Sequence, residues 1–311
     1  MTLATAGLHH VSAIAVDPQG NLDWYTQVLG LRLVKQTVNF DDPGTYHFYF
    51  GDSAGHPGTL LTFFPFPLAG RGRPGAGMVA AVAFAAAEHA IEDWMVRLSE
   101  HGLDIEGPTH RFGETVIALR DPDGLRIEIV GGSPGHPEDT GISGLHSVTL
   151  ALAQPDRTAA LLTDVFGLRA DSQESGRMRF RARSGASSGT VDLVASKLRD
   201  APRQGGGSVH HIAFRARNDD EQAEWREAVV SLGLEPTGIL DRRYFRSFYF
   251  REPGGVLFEV ATDAPGFAVD EPAGALGRGL MLPEWLEPRR ATIESRLPPV
   301  HTSGTSHDTV A

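Results

Sequence analysis

Two histidine pairs and one glutamate carry the most pronounced chemical pattern in this chain. His9 and His10 begin the apolar stretch GLHHVSAIAV, and His210 and His211 begin SVHHIAF, 201 residues further on. Glu259 stands inside VLFEVA, flanked by Phe258 and Val260. A carboxylate in an apolar strand is costly unless it is paired or bound to a metal. Two neutral imidazole nitrogens and one carboxylate suit one face of an octahedral Fe(II), with three positions left open. Open positions let a substrate oxygen and O2 bind the same ion. Zinc prefers four ligands at tetrahedral angles. The residue types therefore point to a non-haem Fe(II) centre, with Mn(II) as the alternative ion.

An internal repeat selects one member of each histidine pair. Gly7 and Gly144, in GLHHVSAIAV and GLHSVTLALA, are 137 positions apart, and so are Gly30 and Gly167. Trp94 and Trp225, Gly102 and Gly233, and Glu128 and Glu259 are each 131 apart. The chain thus reads as four units in two tandem halves. Alignment places His10 opposite Ser147 and His211 opposite Ala81, so units one and four keep a histidine where units two and three do not. Glu128 fills the slot of Glu259 without histidine partners, which shows that a glutamate there can be structural. The candidate metal ligands are His10, His211 and Glu259. His9 and His210 point to the other face of a regular strand, and reach the site only if the strand is bulged. The segment DRRYFRSFYFREPGG, just ahead of Glu259, offers arginine and tyrosine to hold an anionic oxygen. Of the thirteen histidines, His56, His89, His101, His110, His136, His301 and His307 read as ordinary structural residues, and His146 as the counterpart of His9.

Each unit reads βαβββ. A strand of β-branched or alternating apolar residues comes first, as in His9–Val16 and His210–Ala216. A helix follows; 219–232 is expected to turn Ala223, Ala228, Val229 and Leu232 toward one face. Turns such as DPDG and EPGG separate the later strands. The fold class is α+β, with four tandem βαβββ units pairing into two barrel-like mixed sheets around a metal cavity, since one such sheet and helix cannot bury both faces alone. The expected divisions are an N-terminal domain at 1–135, a C-terminal domain at 142–263 and a tail at 264–311. A helix is expected over 284–297, and disorder after it, in HTSGTSHDTVA.

Composition removes several function classes. Net charge is −11 without a basic run, a poor match for nucleic acid. The absence of cysteine excludes disulfides, thiolate metal sites and a cysteine nucleophile, and fits a reducing compartment. MTLATAGLHH lacks the features of a signal peptide, and the longest apolar run, MVAAVAFAAA, is about half the ~20 residues a membrane span needs. The expected setting is the cytoplasm, with no membrane or nucleic-acid partner; a homo-oligomer is left open.

The repeat with its His–His–Glu set resembles the vicinal oxygen chelate superfamily, which includes glyoxalase I, bleomycin and fosfomycin resistance proteins and extradiol dioxygenases. NFDDPGTYHFYFGD, PGTLLTFFPF, DRRYFRSFYFREPGGVLFEVATD and LGRGLMLP resemble, more narrowly, the dioxygenases that cleave hydroquinone and chlorohydroquinone rings. The resemblance runs from Gly7 to about Pro298. It implies iron at His10, His211 and Glu259, and supporting roles for His9, Ser12, His210, Arg242 and Tyr249. It also implies a small aromatic substrate, O2 as co-substrate and ring opening to an acid. Catechol enzymes of the superfamily draw their ligands from the second half alone, which Ser147 prevents here. Units one and four are accordingly expected to share one barrel, and units two and three the other. The rival readings are a glyoxalase-type isomerase or lyase, for which Thr62 supplies no fourth carboxylate, and a metal-free binding protein.

Overall fold

The computed structural model describes residues 3–133, 140–183, 188–198 and 201–302. Among these, sixteen strands fall four to a unit. Unit one holds β1 (Leu8–Ala15), β2 (Arg32–Asn39), β3 (Asp42–Gly51) and β4 (Leu60–Pro65), and unit two holds β5 (Met78–Ala87), β6 (Glu106–Arg111), β7 (Glu114–Arg120) and β8 (Arg126–Ser133). Unit three holds β9 (Ile142–Leu152), β10 (Arg169–Glu174), β11 (Arg177–Arg181) and β12 (Thr190–Ala195). Unit four holds β13 (Val209–Ala216), β14 (Leu240–Asp241), β15 (Arg246–Arg251) and β16 (Leu257–Thr262).

One helix follows the first strand of each unit, and its ends are written locally. In α1 (Pro18–Asp23) the Asp17 carboxylate accepts from the Gln19 N–H, with proline at the first helical position. Units two and three carry α2 (Ile91–Glu100) and α3 (Asp156–Asp164). In α4 (Asp219–Ser231) Asn218 caps the Glu221 N–H, and three acidic residues sit in the positive first turn. Its buried face is Gln222, Trp225 and Val229, spaced three and four apart. Ala223 and Leu232, expected to face inward, lie in solvent. Gln222 takes their place because its amide donates to the carbonyls of Arg246 and Val260, which fastens the helix to β15 and β16.

The strands form two eight-stranded sheets. One runs β14-β15-β16-β13-β1-β4-β3-β2 and unites units four and one; the other runs β10-β11-β12-β9-β5-β8-β7-β6 and unites units three and two. Each sequence half thus gives one unit to each sheet, through the antiparallel pairs β1–β13 and β5–β9. No helix among the described residues is long and apolar enough to cross a membrane.

The segment after Asp263 is built into the fold. Phe267, Leu276, Leu282, Leu286, Ile293 and Leu297 are buried. Met281 N–H donates to the Gln36 carbonyl at 2.9 Å, so the tail covers the free edge of β2. The helix expected over 284–297 is shorter, a single turn at Glu287–Arg289 followed by α5 (Arg290–Glu294). Pro288 has no N–H to continue a longer ladder. Residues 303–311, where disorder was expected, lie outside the described residues.

Gly277 fixes the tail against β2. Its φ is +76°, and a Cβ there would stand 2.1 Å from the Leu33 carbonyl oxygen. Gly277→Ala is expected to cost at least about 1–2 kcal/mol, from the left-handed backbone alone. Thermal denaturation reads this as a lower midpoint, and an unchanged midpoint contradicts the packing.

Candidate metal centre

His10 and His211 come from the two central strands of the first sheet, and Glu259 from β16 beside β13. All three side chains are buried, and their donor atoms lie within 4.8 Å of one another. His10 Nε2 is 3.2 Å from His211 Nε2 and 3.2 Å from Glu259 Oε2, and His211 Nε2 is 2.8 Å from Glu259 Oε2. Neither Glu259 oxygen makes a well-directed hydrogen bond. Burial alone would raise the Glu259 pKa, but the two imidazoles hold it well below the usual carboxylate range. Burial also lowers His211, against the pull of Glu259, and so keeps it neutral. Two imidazole nitrogens and a carboxylate whose oxygens lack directed donors suit a divalent cation.

The doubled histidines have a geometric explanation. In the β1–β13 ladder, Leu8 pairs with Phe214 and His10 with Ala213, which leaves His9 as an extra residue. Ser12 pairs with His211 and Ala13 with Val209, which leaves His210 extra on the other strand. These are two β-bulges, and each re-aims one side chain. As a result His9 Nδ1 lies 2.9 Å from His10 Nδ1, and His210 Nδ1 lies 2.8 Å from His211 Nδ1. With Nε2 given to a metal ion, His10 and His211 would each carry their proton on Nδ1 and donate it to the neighbouring ring. Such a partner fixes tautomer and ring orientation. To accept, His9 and His210 must be neutral. Burial lowers His9 well below its ordinary value and brings His210 down to about 3.

Around this core stand groups from both ends of the sheet. Arg242 Nε lies 3.3 Å from the Tyr249 hydroxyl, which also accepts from Ser247 Oγ at 3.1 Å. The Tyr249 ring stands edge-on to His211, with centroids 5.5 Å apart. Burial raises the Tyr249 pKa, so the phenol keeps its proton. Arg243, the next residue, has φ +68° and turns away toward Asp270. Phe245 packs against both His9 and His10, at 5.0 and 5.2 Å between centroids. Ser12 is buried, but it reaches Thr62 Oγ1 at 2.7 Å rather than any of the three donors.

His47 is a site-facing residue that sequence reasoning missed. Its Nε2 is 2.9 Å from Thr62 Oγ1, and its ring stacks on Phe64 at 4.0 Å. Burial lowers its pKa, with further contributions from His10 and His211. A signal existed in the alternation: Thr62 sits in unit one's Glu259 slot and pairs with Tyr49, and His47 is two residues before Tyr49 on the same face.

The second sheet provides an internal control. Ala83 pairs with Ser147, and β9 is bulged at His146, so the backbone geometry is repeated. The chemistry is different. Glu128 is paired with Arg111 and with Arg126, the latter at 3.2 Å. Arg179, fully buried, binds Asp192 through two nitrogens at 2.8 and 3.0 Å and also pairs with Glu114. His146 contacts Glu114 and Ser147. Arginines supply the positive charge beside the buried carboxylates of this sheet.

The chain matches the family model of the Glyoxalase/Bleomycin resistance protein/Dioxygenase superfamily over residues 7–129 and 144–260, and it belongs to that family. It is 43% identical to the "Putative ring-cleaving dioxygenase MhqO" of Bacillus subtilis, over 96% of this chain and 98% of that protein. It is 32% identical to the "Chlorohydroquinone/hydroquinone 1,2-dioxygenase" of Sphingobium indicum, over 90% of this chain and 92% of that protein. A crystal structure of a "putative dioxygenase" from Bacillus subtilis superposes with a TM-score of 0.91 at 42% identity, covering 96% of this chain and 98% of that one. Maize glyoxalase I shares the fold at 15% identity, with a TM-score of 0.63 over 83% of this chain and 92% of that one.

Proposed function

We propose that this protein is a dioxygenase that opens hydroquinone-type rings, plain or chlorinated, with O2, using Fe(II) held by His10, His211 and Glu259. One observation carries the reading. Three buried donors converge within 4.8 Å, and neither oxygen of the carboxylate among them has a directed hydrogen bond. A buried carboxylate in that condition calls for a cation beside it. The relatives named for ring cleavage supply the reaction class. The bound ion would supply redox chemistry and bring a ring oxygen and O2 together.

The chain's own residues do the rest. With Nδ1 accepting from His211, the neutral His210 carries its proton on Nε2 and can donate to a ring oxygen. The Tyr249 hydroxyl accepts from Arg242 and Ser247, so its proton is free to steady a developing phenolate. Phe245 and Phe64 give flat walls for an aromatic ring and exclude water. A glyoxalase-type reaction would need a fourth donor at Thr62, which is committed to Ser12 and His47.

The test is an oxygen-electrode trace with chlorohydroquinone, Fe(II) and ascorbate. O2 uptake that matches the loss of ring absorbance, and that stops with a chelator, is expected. No uptake with the ring intact would overturn the reading. Metal analysis of purified protein distinguishes iron from manganese. Tyr249→Phe is expected to lower kcat about ten- to a hundredfold, the worth of one buried hydrogen bond, with metal content unchanged. Full turnover by that variant would remove Tyr249 from the mechanism.

A further inference from the structure

The first sheet is open: β14 and β15 lie at one end of the strand order, and β2 and β3 at the other. An ion pair links the two ends. Arg242, on the turn between β14 and β15, places Nη1 3.0 Å from Asp41 Oδ2, on the two-residue turn between β2 and β3. The Asp41 backbone is set by its own N–H, which donates to Asn39 Oδ1 at 3.0 Å. The same guanidinium contacts the Tyr249 hydroxyl, and its field reaches His47 and His211. Other cations near the centre are occupied elsewhere: Arg215 is clamped by Asp263, and Arg251 is exposed and bonded to the Gly255 carbonyl.

We infer that Asp41 is a specificity-determining residue that selects uncharged hydroquinone rings against rings bearing a carboxylate. This rests on the proposed ring-cleaving function and adds a substrate preference to it. An uncharged ring can use the Tyr249 hydroxyl while the Arg242–Asp41 pair stays intact. A ring carboxylate would be drawn to Arg242, but would share or contest that guanidinium with Asp41. Binding there would bring two carboxylates face to face. Discrimination of this kind comes from a repulsive element as much as from an attractive one. Asp41 is largely exposed, so the effect is moderate and screened by salt.

The experiment compares anaerobic binding of hydroquinone and of 2,5-dihydroxybenzoate, the same ring with one carboxylate. Metal-loaded wild type, Asp41→Asn and Asp41→Glu are titrated by calorimetry at low salt, with O2 uptake on hydroquinone recorded alongside. Asp41→Asn is expected to shift the ratio of the two dissociation constants about tenfold toward the carboxylated ring, as for one like charge at partly screened distance. Asp41→Glu, which restores the charge, is expected to keep the wild-type ratio. A ratio unchanged in Asp41→Asn, or moved equally by Asp41→Glu, overturns the inference while hydroquinone turnover stands. If the ratio shifts but the wild type takes up no O2 with hydroquinone, the dioxygenase reading falls and Asp41 keeps its selective role. If wild type binds neither ring, both fall.

Discussion

Glu259→Gln is expected to strip the protein of its metal and to abolish O2 uptake in the same preparation. The substitution keeps shape and volume but removes the one carboxylate of a set whose other members are imidazoles. Changing even a supporting group around a bound metal typically costs about 10- to 100-fold in affinity, and loss of a charged ligand exceeds that. Metal analysis after gel filtration should therefore read near zero per chain. His211→Ala is expected to give the same result from the neutral side. Glu128→Gln is the matched control, because it alters the same strand position in the second sheet. It should leave metal content and turnover intact while destabilising the fold, since Arg111 and Arg126 lose their buried partner. A Glu259→Gln protein that retained its metal and full turnover would sink the proposed centre.

Lys35→Met is expected to cause a large loss of stability. Lys35 is fully buried on β2, with Nζ 2.6 Å from Asp270 and in direct contact with Glu271, both in the tail. The Tyr244 hydroxyl donates to the other Asp270 oxygen at 3.0 Å, and Lys35 Nζ lies 4.9 Å from the centre of its ring. Removing the cation strands two carboxylates, and breaking a buried pair in this way costs about 3–5 kcal/mol. At roughly 2–4 °C per kcal/mol for a domain somewhat smaller than this chain, the midpoint should fall by about 10 °C. Tyr244 belongs to the turn that carries Arg242 and Phe245, so the loss should reach the site. KM for hydroquinone should rise while metal content holds, because no metal donor is touched. A midpoint within about 2 °C of wild type, less than 1 kcal/mol on the same scale, would show that the tail is held by apolar contacts alone.

Much of this was legible in the chain. Repeat spacing alone separated His10 and His211 from eleven other histidines, because a repeated unit carries its own control: Ser147 and Ala81 stand where chemistry was not kept. The four-unit organisation followed from the same spacing. Ala223 of α4 and Leu232 just past its end are exposed against the periodic pattern, because amphipathic periodicity does not register an amide, such as that of Gln222, that buries itself by capping strand carbonyls. His47 was missed because one histidine in TYHFYF carries no period of its own. Its significance depends on Thr62, 15 positions later, to which it bonds across the sheet.

The sequence by itself determined the donor types, their places in the repeat and the adjacency of His9 to His10 and of His210 to His211. Tertiary structure decided what that adjacency does. A regular strand would send the members of each pair to opposite faces; the bulges in the β1–β13 ladder turn both rings toward one centre. The structure also decided that Arg242, rather than Arg243, meets Tyr249, through a backbone reversal at φ +68°. Only folding could bring Lys35 to the tail carboxylates and Asp41 to Arg242. Covalent order fixes which groups exist and which are neighbours along a strand. The field and hydrogen bonds that each group feels come from partners brought close in space, and these lie up to 282 residues away.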